Sequence, residues 1–142
     1  MSIQSIFLDE DIVFDLFYER GEDSKNAKAL FSLLEEEKLN GFVSSNTIFN
    51  LFNILEKNLG AGAAKEKLIM FRSLVKVLSV ESKIIDLALN SKISKFENAI
   101  HYFLVKNQNI RFYITNEKKD FPKDNLVILN TIEFLKYENF ID

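Results

Sequence analysis

Five short apolar runs recur along the chain: SIFL (5–8), GFVS (41–44), VKVLSV (75–80), RFYIT (111–115) and LVIL (126–129). Each is too short for a helix, rich in β-branched or aromatic residues, and mostly apolar, as in a strand covered on both faces. Longer stretches with apolar residues at helical spacing lie between most of them. That alternation predicts a three-layer α/β/α sandwich around a central, mostly parallel five-stranded sheet, because parallel neighbours require crossover helices.

Helix signals fit this frame. In the stretch after GFVSS, Ile48, Leu51, Phe52, Leu55 and Leu59 make one stripe, with Asn46, Asn50 and Asn53 on another face. Ser94-x-x-Glu97 and Asn130-x-x-Glu133 both have the form of a capping box. Asp11, just before Ile12, Val13, Leu16 and Phe17, is placed to cap a helix, which leaves Asp9 without an evident structural duty. His101 follows Glu97 by one helical turn, predicting a local surface pair.

With 142 residues and 47% apolar content, the chain suits a single domain spanning 1–142 with one substantial core. The Gly60-Ala61-Gly62 segment is too short to separate domains. No cysteine is present, which excludes disulfides and thiolate metal sites. No apolar run approaches the ~20 residues of a membrane span, and the N-terminus has no basic region before its apolar run, so a cytoplasmic protein without a membrane partner is expected. A net charge of -3 is too small to specify a partner, although bases outnumber acids after residue 60. Lys92, Lys95, Lys118, Lys119 and Lys123 in that half could meet phosphates, with Lys95 and Lys118 the leading candidates.

The chemistry concentrates at strand ends. Asp9 directly follows the first run, Asp11 lies two residues on, Asn50 sits in the helix after GFVSS, and Glu117 and Asp120 follow RFYIT. In an open parallel sheet, ligands bind in the crevice beyond the carboxyl ends of the strands. Oxygen ligands from separate elements suit Mg²⁺ or Mn²⁺, which activate water and neutralise phosphodiester charge.

Taken in order, IFLDEDIVFDLF, SSNTIFNLFNIL, KFENAI and ITNEKKDF resemble the signature segments of PIN domains. The resemblance implies an α/β/α fold and relationship to Mg²⁺- or Mn²⁺-dependent ribonucleases, including the VapC-type toxins of toxin–antitoxin pairs. It places the family's first acid on Asp9. The second, usually Glu, falls on Asn50, and the third, usually Asp, falls on Asn98. The variable fourth position falls on Glu117, with Asp120 close by and Thr115 as the strand-end threonine. The implied catalytic residues are Asp9 and Glu117; the implied metal ligands are Asp9, Glu117 and Asp120, supported by Asp11 and Thr115.

Asn50 and Asn98 make that site degenerate. An amide offers one neutral oxygen where a carboxylate offers two and a charge, and it is no general base near neutrality. The expectation is a relative of the toxin ribonucleases with weakened or lost activity and weak Mg²⁺ or Mn²⁺ binding. Its partners would be RNA or a small antitoxin, and the resemblance also implies a homodimer. An inactive RNA- or protein-binding module is one alternative. Another rests on Asp9-x-Asp11-x-Val13, which resembles the nucleophile segment of haloacid-dehalogenase-type phosphotransferases, with Asp9 as nucleophile and Asp11 as acid/base. Restoring both acids, Asn50→Glu with Asn98→Asp, is expected to restore tight Mn²⁺ binding.

Overall fold

A computed structural model describes residues 3–18 and 21–142. Its five strands are β1 (Gln4–Leu8), β2 (Leu39–Ser44), β3 (Val75–Leu78), β4 (Phe112–Ile114) and β5 (Val127–Leu129). They form one sheet in the order β3-β2-β1-β4-β5, and every pairing is parallel. All five expected runs are strands, and the mostly parallel sheet is parallel throughout the described residues.

The helices are α1 (Glu10–Phe17), α2 (Gly21–Glu35), α3 (Ser45–Leu59), α4 (Ala61–Arg72), α5 (Ser82–Leu89), α6 (Phe96–Asn107) and α7 (Thr131–Tyr137). Alternation along the strands sorts the core into two faces. Ile6, Leu8, Val43, Phe112 and Ile114 pack with α1, α2, α3, α4 and α7. Phe7, Phe42 and Tyr113 pack with Val105 of α6 on the opposite face, and Ile84 and Ala88 of α5 join α6 in a neighbouring cluster. Burial on both faces explains why the strands read as continuous apolar runs.

Several local expectations change in the fold. Asp9, not Asp11, is the N-cap of α1, its side chain accepting from the Glu10 amide at 2.9 Å. Asp11 lies in the first turn and accepts from its neighbour, the Ile12 amide. The Ser94/Glu97 capping box does not form: α6 has Lys95 as N-cap with no side-chain cap, because the Ser94 hydroxyl and amide both donate to Asp120 Oδ2. The Asn130/Glu133 box is present. Leu51 and Leu55 anchor α3 in the core, but Leu59 at its end is exposed.

The strand order reverses direction around β1. The chain steps outward from β1 to β2 and β3, then returns to β1's other side for β4 and β5. The C-terminal ends of β1 and β4 therefore flank the topological switch point, where open α/β sheets bind ligands.

Candidate functional site

Asp9 leaves β1 at that switch point, and its amide donates to the Ile114 carbonyl at 3.0 Å, fixing it against the end of β4. The residue is 5% exposed. Its Oδ2 accepts from Thr115 Oγ1 at 2.8 Å and lies 2.8 Å from Lys119 Nζ; its Oδ1 is 3.4 Å from His101 Nδ1. Burial raises the Asp9 pKa, but the hydrogen bonds and charges of His101 and Lys119 outweigh it and hold the carboxylate well below its usual range.

A cleft of about 280 Å³ opens over this carboxylate, lined by Asp9, Glu10, Asp11, Phe14, Lys95, Glu97, Asn98, Glu117 and Lys119. The expected residues Asp9, Asp11, Asn98, Glu117 and Lys95 thus meet at one place. Thr115 lies buried beneath Asp9. Asn50 reaches the site indirectly, donating through Nδ2 to Glu10 Oε1 at 2.8 Å. Lys118 does not line the cleft. Asp120, expected among the ligands, does not line it either and instead accepts two hydrogen bonds from Ser94.

Two residues of the site have buried roles that the sequence does not announce. Lys119 enters from the loop after β4, and its side chain is 2% exposed. Its Nζ donates to Asn98 Oδ1 at 3.0 Å and to Glu117 Oε2 at 3.4 Å, in addition to its ion pair with Asp9. Burial lowers the Lys119 pKa, but the hydrogen bond and charge of Asp9 more than offset that and raise it overall. Nothing in TNEKKDF distinguishes Lys119 from its exposed neighbour Lys118.

His101 is the second. It is 1% exposed, not a surface partner of Glu97. Its Nε2 lies 3.1 Å from Ser44 Oγ, and its Nδ1 lies 3.1 Å from the Tyr113 hydroxyl. The available signal was its spacing of three from Asn98, which puts both on one face of α6.

Asp11 completes the chemistry. It accepts from the Asn116 amide at 2.8 Å, which ties α1 to the loop after β4. Burial, and then the nearby charge of Asp9, push its carboxyl up to about 6.

These residues do not fit a divalent ion as they stand. Mg²⁺ requires oxygens at ~2.0–2.1 Å in near-octahedral array, whereas the oxygens of Asp9, Asn98 and Glu117 converge on a cationic nitrogen. Among the described residues, no three of His, Asp and Glu are grouped to hold a metal.

Comparison with known proteins agrees with this fold. A family model described as PIN domain covers residues 5–119. Ribonuclease VapC1 of Aquifex aeolicus (strain VF5) is 24% identical over 147 residues, covering 98% of this chain and 99% of its own. A toxin–antitoxin complex from Klebsiella pneumoniae superposes with a TM-score of 0.66 at 19% identity, covering 89% of this chain and 97% of that one. VapBC2 from Rickettsia felis, bound to a DNA fragment from its promoter, gives a TM-score of 0.60 at 15% identity, with 89% and 98% covered. None of these similarities supports the phosphotransferase reading of Asp9 and Asp11. With the parallel sheet, the switch-point acid and a family match across most of its length, the chain belongs to the PIN-domain family and is related to the VapC toxin ribonucleases.

Proposed function

We propose that this protein is a PIN domain of the toxin-ribonuclease lineage whose nuclease activity is weakened or lost, and which works by binding a protein partner. One observation carries the reading: both amides at the degenerate positions are already committed to neighbouring side chains. Asn50 donates to Glu10, and the Asn98 oxygen accepts from Lys119. Neither supplies charge, and neither titrates near neutrality. Asp9 is held ionised by buried donors and is a poor proton acceptor at neutral pH.

The cleft's charge favours a protein over RNA. Five carboxylates line it, from Asp9, Glu10, Asp11, Glu97 and Glu117, against two lysines, Lys95 and Lys119, and Lys119 is already paired. A phosphate backbone would be repelled there without added cations. Elsewhere, α4 exposes Ile69 and Met70, each 71% accessible, and α3 exposes Phe49, 67% accessible. Such apolar residues suit association with an antitoxin-like protein or a second copy of the chain. The Klebsiella pneumoniae and Rickettsia felis neighbours are toxin–antitoxin assemblies, which supports an antitoxin as the partner class.

The test is RNA cleavage in Mn²⁺ by the wild type and by Asp9→Asn. The expected outcome is no product above that of the variant or of a chelated control. Metal-dependent product that disappears in Asp9→Asn would show an active ribonuclease and overturn the reading.

A further inference from the structure

The Lys119 ammonium sits where three strand-end and helix-start segments converge. Its three protons have three oxygen partners: Asp9 Oδ2 at 2.8 Å, Asn98 Oδ1 at 3.0 Å and Glu117 Oε2 at 3.4 Å. Two of these oxygens belong to positions that the family resemblance assigns to metal ligation, and the third belongs to Asn98, at a degenerate acid position. We propose that Lys119 is the resident cation of this cleft, a built-in ammonium that excludes Mg²⁺ and Mn²⁺ by holding the position and the oxygens such an ion would need. The inference rests on reading the cleft as a PIN-type site, but it concerns ion occupancy and not cleavage.

Three observations converge on it. The first is burial: a lysine side chain 2% exposed is held there by its partners, since an ammonium leaves water only when paired. The second is spacing. An ion drawing on Asp9 Oδ2, Asn98 Oδ1 and Glu117 Oε2 together would have to lie between them, where the ammonium nitrogen already sits, and two cations cannot share that place.

The third is charge balance. With acids at positions 50 and 98, all four positions named by the family resemblance would carry carboxylates, in addition to the cleft's other acids. With Asn50 and Asn98, Asp9 and Glu117 face a monovalent cation instead, which needs fewer counter-charges than a divalent one. On this view the amides and the buried lysine are matched to each other. Restoring the acids alone, by Asn50→Glu with Asn98→Asp, would then strengthen the Lys119 pairing and leave the metal excluded.

The experiment measures Mn²⁺ uptake by electron paramagnetic resonance, alongside the shift in melting temperature on adding Mn²⁺. It uses the full chain as wild type, Asn98→Asp, Lys119→Met and the double variant. Wild type and Asn98→Asp, which keep the ammonium, are expected to leave the free-Mn²⁺ signal and the melting temperature unchanged. Lys119→Met is expected to melt lower and to recover on adding Mn²⁺. The double variant is expected to bind at least about tenfold more tightly than Asn98→Asp, because the two share the added carboxylate and only the double variant has lost the competing ammonium.

Stoichiometric uptake by the wild type or by Asn98→Asp overturns the proposal, and this arm needs no lysine variant to fold. Equal affinity in the double variant and Asn98→Asp overturns it as well. The two readings fail separately. Mn²⁺ uptake without RNA cleavage sinks the resident cation and leaves the proposed function standing, while Asp9-dependent cleavage in chelator without Mn²⁺ uptake does the reverse.

Discussion

His101 joins the ends of three strands through one imidazole. It meets Ser44 at the end of β2, Tyr113 in β4 and Asp9 just past β1, and its ring centroid lies 5.1 Å from that of Phe7. Truncation to alanine would leave a buried void and strip a partner from each of these polar groups. His101→Ala is therefore expected to cost about 2–4 kcal/mol in urea denaturation, with His101→Gln recovering part of it through one retained hydrogen bond. A loss below about 1 kcal/mol would mean the network has other support. The sequence concealed this role because Glu97 offered His101 a plausible local partner. It concealed Lys119 for a related reason: the partners of a buried lysine lie at Asp9 and Asn98, far along the chain, and only the folded switch point brings them together. Asp9, by contrast, directly follows a strand run, and Asn98 falls at a position the family resemblance picks out; both line the cleft.

The elements themselves were easier to read than their termini. SIFL and RFYIT are buried on both faces, so composition alone marks them as interior strands, and their pairing puts Asp9 and Thr115 side by side. The start of α6 was misread because a Ser-x-x-Glu pattern carries no information about Asp120, which takes both Ser94 donors. Gly60 is a clearer boundary. It ends α3 and begins α4 at φ 85° and ψ 162°, a conformation essentially restricted to glycine. A Cβ there would meet no atom within 4 Å, so any cost of Gly60→Ala is backbone strain and not a clash. The expected loss is about 1–3 kcal/mol in chemical denaturation, with the cleft unaffected. A neutral result would show that the α3–α4 junction relaxes to another conformation.

Two neighbouring carboxylates make the stability of the molecule depend on pH in opposite senses. The Asp9 pKa is depressed, so its contribution is present above its ordinary value of 3.8 and is lost as pH falls. The Asp11 pKa is raised from 3.8 to about 6, so its contribution is present below 3.8 and is lost as pH rises through about 6. Above that pH, the fold holds an ionised Asp11 close to the ionised Asp9, compensated in part by the Asn116 amide. Replacing Asp11 with asparagine removes the charge and keeps an oxygen able to accept from that amide. Asp11→Asn is thus expected to gain stability relative to wild type between pH 4.5 and 7.5, by about 1 kcal/mol once solvent screening of this partly exposed group is allowed for. Thermal melts of both proteins across that range provide the check. The gap should widen as pH rises and level off above about 7, whereas a gap independent of pH would show that Asp11 titrates in the fold as it does in the unfolded chain.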